Sequence, residues 1–244
     1  MVEVLSSQSQ PAYHRDGVEM VISKISSVGQ FRRGSRLAAL AMLLTLGSFS
    51  AALADGPGEV EYLLKSPLIR AGIPINRDSL IKALNDQRIL IAGNAALLLA
   101  RFPRTNESVR ALSAVVADDK DVRREIVSVN AARSLVQLGE RQWAAIGKAR
   151  LAKMQDRVAQ VQLAGLLARI GHADGWPVVL STLYDPELAL VAIENISYFD
   201  GLRSPAGRQI NLTHELQSIL PKLPEASRQL VEAQLLQLRK KTTH

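Results

Sequence analysis

Cysteine is absent from the 244-residue chain. That excludes disulfides, zinc–thiolate sites, a thiol nucleophile and a lipid-bearing N-terminal Cys after processing. Aromatic residues are scarce, at 4% against 47% hydrophobic. Ala and Leu must therefore build the interior, which suits closely packed helices better than sheets. Histidine occurs at four positions: His14, His172, His214 and His244. His172 and Asp174 could offer two metal ligands, but no third lies near in sequence, and a turn residue beside a helix C-terminus is the simpler reading. There is no Gly-rich phosphate loop, no Gly-x-Ser-x-Gly elbow and no His-Glu-x-x-His. The neighbouring carboxylates Glu59 and Glu61, and Asp118, Asp119 and Asp121, fall in a linker and a capping turn, poor places to hold a general acid and base. No catalytic residue, metal ligand or cofactor is expected, and the chain reads as a non-enzyme.

Charge is uneven along the chain. Residues 171–201 contain no Lys or Arg and five Asp/Glu, whereas 101–170 carry 13 Lys/Arg against seven Asp/Glu. The whole chain has a net charge of +7. An excess of that size, spread over helical segments, is weak evidence for a nucleic-acid partner, and none is expected.

Residues 32–54 have the organisation of a secretory signal peptide. Arg32, Arg33 and Arg36 form a basic region, 37–46 an uncharged apolar h-region, and Gly47 a breaker; Ala52 and Ala54 supply small residues at −3 and −1. Cleavage is expected after Ala54, leaving a periplasmic or secreted protein. The alternative is an uncleaved anchor over 37–54, although a Gly- and Ser-broken run of that length is short for a span. The 31 residues before Arg32 exceed an ordinary basic region, so a later start, at Met20 or a valine codon such as Val28, is expected. Residues 55–77 contain Gly56, Pro57, Gly58, Pro67, Gly72 and Pro74 and read as a linker, with one short helix at Val60–Lys65.

From Asp78 a 3.6-residue period runs almost unbroken, punctuated every few turns. It predicts five helical pairs: Ser79–Leu84 with Arg88–Phe102, Ser108–Ala117 with Val122–Leu138, Gln142–Lys153 with Arg157–Ile170, Trp176–Tyr184 with Pro186–Phe199, and Leu212–Leu220 with Glu225–Leu238. Asp185 is expected to cap the second helix of the fourth pair, with Pro186 in its first turn. A related string closes several second helices: Asn94-Ala95-Ala96-Leu97-Leu98-Leu99-Ala100-Arg101-Phe102, Asn130-Ala131-Ala132-Arg133-Ser134-Leu135-Val136-Gln137-Leu138-Gly139, and Gln162-Leu163-Ala164-Gly165-Leu166-Leu167-Ala168-Arg169-Ile170-Gly171. A hairpin this short cannot bury both faces alone, so neighbours must stack.

The Ala-Ala, Leu and terminal Leu-Gly pattern resembles the second helix of HEAT and HEAT-like (PBS-lyase-type) repeats over roughly 78–200, and more loosely over 204–240. The uneven spacing separates it from tetratricopeptide repeats. The resemblance implies a right-handed α-solenoid of about five antiparallel hairpins over 78–240, ahead of a short tail, 241–244. It also implies that second helices line an inner curve that holds a partner. Positions seven apart on those helices share a face, which singles out Asn94 with Arg101, Asn130 with Gln137, Gln162 with Arg169, and Val191 with Tyr198. As a ridge on that curve, Asn94, Arg101, Asn130, Gln137, Gln162, Arg169 and Tyr198 are the candidate binding residues for a protein or peptide, with Tyr198 the best single anchor. Two other readings stand beside this one: an anionic-polymer (envelope phosphate) binder using the basic stretch Arg101–Arg157, and a subunit whose partner supplies enzyme chemistry.

Overall fold

A computed structural model describes residues 57–242. The leader 1–54, with its h-region and cleavage position, lies outside the described residues, as do the first residues of the linker and the last of the tail. Among the described residues there are eleven α-helices and no strand, so this part of the chain is all-α as the composition implies. The helices are α1 (Pro57–Arg70), α2 (Arg77–Ala83), α3 (Ile89–Leu99), α4 (Asn106–Ala117), α5 (Glu125–Gln137), α6 (Ala144–Leu151), α7 (Arg157–Arg169), α8 (Trp176–Thr182), α9 (Ala189–Ile196), α10 (Leu212–Ile219) and α11 (Glu225–Thr242).

Side chains punctuate these helices as helix termini require. Asn76, Thr105, Asp156 and Asn211 each accept a backbone N–H of the first turn of α2, α4, α7 and α10, satisfying a donor that has no partner within the helix. At the other end, Gly139 and Gly171 adopt φ +74° and +95°. Each forms a paired closure: Gly139 N–H donates to Val136 O and Glu140 N–H to Leu135 O, while Gly171 N–H donates to Ala168 O and His172 N–H to Leu167 O. Only glycine enters that left-handed turn without a Cβ penalty.

Two expectations are corrected. The segment 55–77 is largely helix rather than linker, since α1 runs for 14 residues. Pro67 deprives α1 of one N–H, at a cost of about 3 kcal/mol in a helix interior. Burial of Leu64 and Leu68, worth about 1.5–3 kcal/mol each, is of the same size, and Asn94 Nδ2 donates to Leu64 O at 3.0 Å. The turn after α1 also repeats the paired closure, with Gly72 N–H on Ile69 O and Ile73 N–H on Leu68 O. The second correction concerns Asp185. Its carboxylate accepts the Glu187 N–H at 3.0 Å, which closes a turn, and α9 begins only at Ala189.

The even-numbered first helices pack on the odd-numbered second ones: α2 on α3, α4 on α5, α6 on α7, α8 on both α7 and α9, and α10 on α11. The second helices also pack on one another in chain order, α3 on α5, α5 on α7, α7 on α9 and α9 on α11, with α1 set against α3. Small residues permit the close approaches. Ala96, Ala132 and Ala164 are fully buried at aligned positions, as are Leu99, Leu135, Leu167 and Ile196 one turn later, whereas the larger Ile193, at the matching position of α9, is half-buried. On α11, Ser227, Val231 and Leu235 form the buried stripe while Leu236 faces outward, so most of this last helix caps the packing rather than continuing it.

Polar ties join successive pairs. Ser134 Oγ donates to Ala96 O at 2.8 Å, and Arg124 donates to Leu84 O and Asp86 O at 2.6 and 2.7 Å. Lys153 meets Asp119 at 2.7 Å, and Arg104 pairs with Glu140. Beneath them lies a buried ion pair, Arg150 to Glu125 at 3.2 Å, whose carboxylate also accepts the Gln155 and Asp156 N–H groups.

Candidate functional site

The seven ridge residues separate into two groups. Asn94, Asn130 and Gln162 are buried, at 8%, 5% and 3% exposure. Asn94 holds an α1 carbonyl, and Asn130 sits against Gly93 of the neighbouring second helix, its Nδ2 3.0 Å from where a Cβ would stand. These three are internal and do not form part of a binding ridge. Arg101, Gln137, Arg169 and Tyr198 are exposed, and they occupy the aligned positions at the ends of α3, α5, α7 and α9. A step of seven residues drifts around a 3.6-residue helix by only about 20°. The two members of each pair therefore share a face, but the first is covered by the adjoining helix and the second lies beyond its reach.

Local structure explains how Tyr198 is presented. After α9, residues Ser197–Phe199 form a 3-10 turn, whose tight winding sends successive side chains in different directions. Phe199 turns inward, fully buried, and its ring meets Trp176 with centroids 5.5 Å apart. Tyr198 is thereby left outside at 41% exposure. Arg169, the last residue of α7, places its guanidinium carbon 5.1 Å from the Tyr198 ring centroid, within the range of a cation–π contact.

Two residues absent from the ridge join this pair. Arg133 on α5 is half-buried, and its guanidinium feels Arg169, Tyr198 and Glu194. Burial pulls its pKa down, the charge of Arg169 adds to that, and Tyr198 and Glu194 act in the opposite direction. Glu194 on α9 is half-buried too. Burial pushes its carboxyl up from the usual value, Arg133 partly reverses that, and its Oε2 is buried without a hydrogen-bond donor among the described residues. Consecutive second helices thus bring two cations, one carboxylate and an aromatic ring into one patch. A spacing of i, i+3 and i+7 would have found Arg133 between Asn130 and Gln137.

Gly165 is a buried residue of α7, four positions before Arg169. A Cβ there would stand 2.1 Å from Asn195 Oδ1 and 2.8 Å from Asn195 Cβ, so the absent side chain is what lets α9 approach α7 closely.

The other sequence candidates are accounted for structurally. Asp174 pairs with Lys148 at 3.0 Å rather than with His172, and His214 lies in the first turn of α10, its backbone N–H donating to Asn211 Oδ1 at 3.0 Å. Among the described residues no three His, Asp or Glu side chains gather where they could hold a metal ion. Within the basic stretch, Arg104, Arg123, Lys148, Arg150 and Lys153 are each held by a carboxylate. Arg157 is taken by Gln160 and Ser181. Compared with known proteins, the chain matches no family model, no curated protein and no solved structure.

Proposed function

We propose that this chain is an exported, non-catalytic scaffold, a right-handed α-solenoid of HEAT-like hairpins, that binds a protein or peptide partner across the exposed ends of its second helices. The observation that carries the reading is the Arg169–Tyr198 pair. An exposed aromatic ring and an arginine, positioned by a buried Phe199–Trp176 contact, are the side-chain types that dominate binding energy at protein interfaces. The ordered packing of second helix on second helix supports the solenoid. It gives each helix a neighbour on either side and leaves one edge of each free for a ligand. The leader's composition supports export with cleavage after Ala54, and among the described residues no helix is long and apolar enough to cross a membrane.

The anionic-polymer reading has less support. Arg104, Arg123, Lys148, Arg150 and Lys153 of that stretch are already paired with carboxylates, and an engaged cation must give up its partner before it can hold a phosphate.

Affinity capture of the protein from its own cells, with mass spectrometry of bait and co-purifying material, tests the reading. A bait beginning at Asp55 with a stoichiometric protein partner is the expected result. An intact leader would contradict export with cleavage, and a phosphate-rich polymer in place of protein, released by moderate salt, would contradict the partner class.

A further inference from the structure

Large apolar residues are exposed at nine places among the described residues, and three of them stand on α1: Tyr62 at 68%, Leu63 at 50% and Ile69 at 60%. Tyr62, Ser66 and Ile69 follow the i, i+4, i+7 spacing of one helix face, with Leu63 bordering it. On the opposite side Leu64 and Leu68 are buried, and α1 meets α3. The charged side chains on the flanks are satisfied within α1: Lys65 pairs with Glu61, and Arg70 Nη2 donates to Ser66 Oγ at 2.9 Å. The helix that begins the row of second helices thus presents an apolar stripe with a polar rim, the make-up of an interface.

The two ends of that row differ. A terminal helix in a stacked array needs a polar outer face to stay soluble. On α11, Glu225, Gln229, Glu232 and Gln237 are exposed, and Leu236 is its one exposed large apolar residue among the described residues. The outer face of α1 is apolar at its centre, and it is also complementary to itself. Reversing the helix about a point between Lys65 and Ser66 carries Tyr62 onto Ile69 and Ile69 onto Tyr62. The small Ser66 then stands at the crossing, where two backbones come closest.

From this geometry we infer that α1 docks antiparallel on α1 of a second copy, about a two-fold axis beside Ser66, each copy's Tyr62 seated on the other's Ile69. Self-complementarity is what such a contact requires, and an unrelated partner has no need of it. The contact continues the packing of second helices by one step, with a second α1 opposite the side that α3 occupies. Stacking α1 on α11 would set the apolar stripe on a polar face and propagate as an open fibre, whereas the two-fold closes. The chain's own leader is excluded as the occupant once cleavage after Ala54 leaves only Asp55 and Gly56 ahead of α1; on that point alone the inference rests on the export reading above. A helix of 14 residues is about 21 Å long. One such helix on another covers less than a standard interface, so a Kd of about 10–100 µM is expected.

The test follows the exported protein as the cell processes it, by sedimentation equilibrium from about 1 µM to about 500 µM, with its N-terminus read by mass spectrometry. The parent should pass from one chain to two across that range. Tyr62→Lys and Ile69→Asp each spoil both seats, because a two-fold makes every substitution count twice, and each should raise Kd about a hundredfold. An equimolar mixture of the two variants should recover most of the affinity, since one seat is then native and the other joins the two introduced charges. Both positions are exposed, so thermal unfolding at dilution should be unchanged in each variant. The chain has no cysteine, so Ser66→Cys reports the axis directly. Oxidation should link two copies of it about tenfold faster than copies of Gln237→Cys, on the outer face of α11, because only the axis brings identical positions within disulfide reach.

A protein that stays monomeric across the range overturns the inference. So does a mixture of Tyr62→Lys and Ile69→Asp no tighter than either variant alone, or cross-linking of Ser66→Cys no faster than that of Gln237→Cys. A monomer that binds phosphatidylcholine vesicles through Tyr62, or that loses a captured protein in Tyr62→Lys, gives the face to a membrane or to that protein and not to a second copy. Dimers of protein that keeps its leader support the contact and sink cleavage after Ala54. Monomers beginning at Asp55 sink the contact and leave the export reading standing.

Discussion

Gly139 and Gly165 do opposite work, and their substitutions separate backbone strain from collision. At Gly139 an added Cβ meets nothing within 4 Å, but φ is +74°. Gly139→Ala therefore suffers only the left-handed penalty, about 1–2 kcal/mol. Gly165 lies within a helix, where alanine is intrinsically better, yet its Cβ would strike Asn195 at both Cβ and Oδ1. Overpacking of that kind costs about 1–3 kcal/mol, and it also shifts α9 with Tyr198. Denaturant unfolding should show both variants destabilised, with the Arg169–Tyr198 contact disturbed only in Gly165→Ala. At Asp86, Arg88 donates to both carboxylate oxygens, at 2.9 and 2.7 Å, and its backbone N–H donates as well. The side-chain fork is the main reason that the Asp86 pKa falls from 3.8 to about 2. A depressed folded value means the contribution is present above the ordinary value and lost as pH falls through about 2. Stability should thus decline on acidification across that window, and Asp86→Asn should lie below the parent protein near neutrality and converge with it below about pH 2. Glu194, raised by burial, acts with opposite sign: its protonation favours the folded state, and that contribution is lost as pH rises through its folded value.

At the scale of elements, α5 and α6 are joined by a buried ion pair. Arg150 and Glu125 are 3% and 2% exposed. Removing one partner leaves a buried charge uncompensated, at a cost of about 3–5 kcal/mol. Arg150→Met keeps an unbranched apolar stem and should fall at the lower end, because Glu125 still accepts the Gln155 and Asp156 N–H groups. Equilibrium unfolding checks this, and a loss under 1 kcal/mol would show that the two backbone donors alone satisfy the carboxylate.

Elements were also where the sequence was most and least readable. The string from Asn130 to Gly139 carries its own helix, its buried small face and its closing glycine, so α5 and its relatives α3 and α7 are evident from spacing alone. The helix α1 is hidden by its two prolines, which argue for a linker if read locally. Its signature is nonetheless present: Leu68 and Gly72 stand four apart, as do Leu135 and Gly139, and Leu167 and Gly171, and all three leucine carbonyls accept the same closing N–H. The binding row was half legible for a related reason. Periodicity assigns residues to a face, but only packing decides which part of that face a neighbouring helix covers. Asn94, Asn130 and Gln162 are therefore inside while Arg101, Gln137 and Arg169 remain outside.

Across the whole described chain, charge is spent on assembly before it is offered to a ligand. The basic middle and acidic fourth segments look like a polarised surface in one dimension. In three, Lys148 is neutralised by Asp174, Lys153 by Asp119 and Arg104 by Glu140, partners about one helical pair away. The row at the ends of the second helices, where Arg101, Gln137, Arg169 and Tyr198 are exposed, is the centre of the proposed function. Site-specific photo-crosslinking tests it most directly. A photoreactive residue is placed at Gln137, within the row, or at Arg110, exposed on the first helix α4, and the protein is irradiated in its own cells. Binding through the second-helix ends predicts a discrete partner adduct from Gln137, lost in Arg169→Gln, and none from Arg110. Adducts from Arg110 alone, or equal adducts from both positions that Arg169→Gln leaves unchanged, would contradict it.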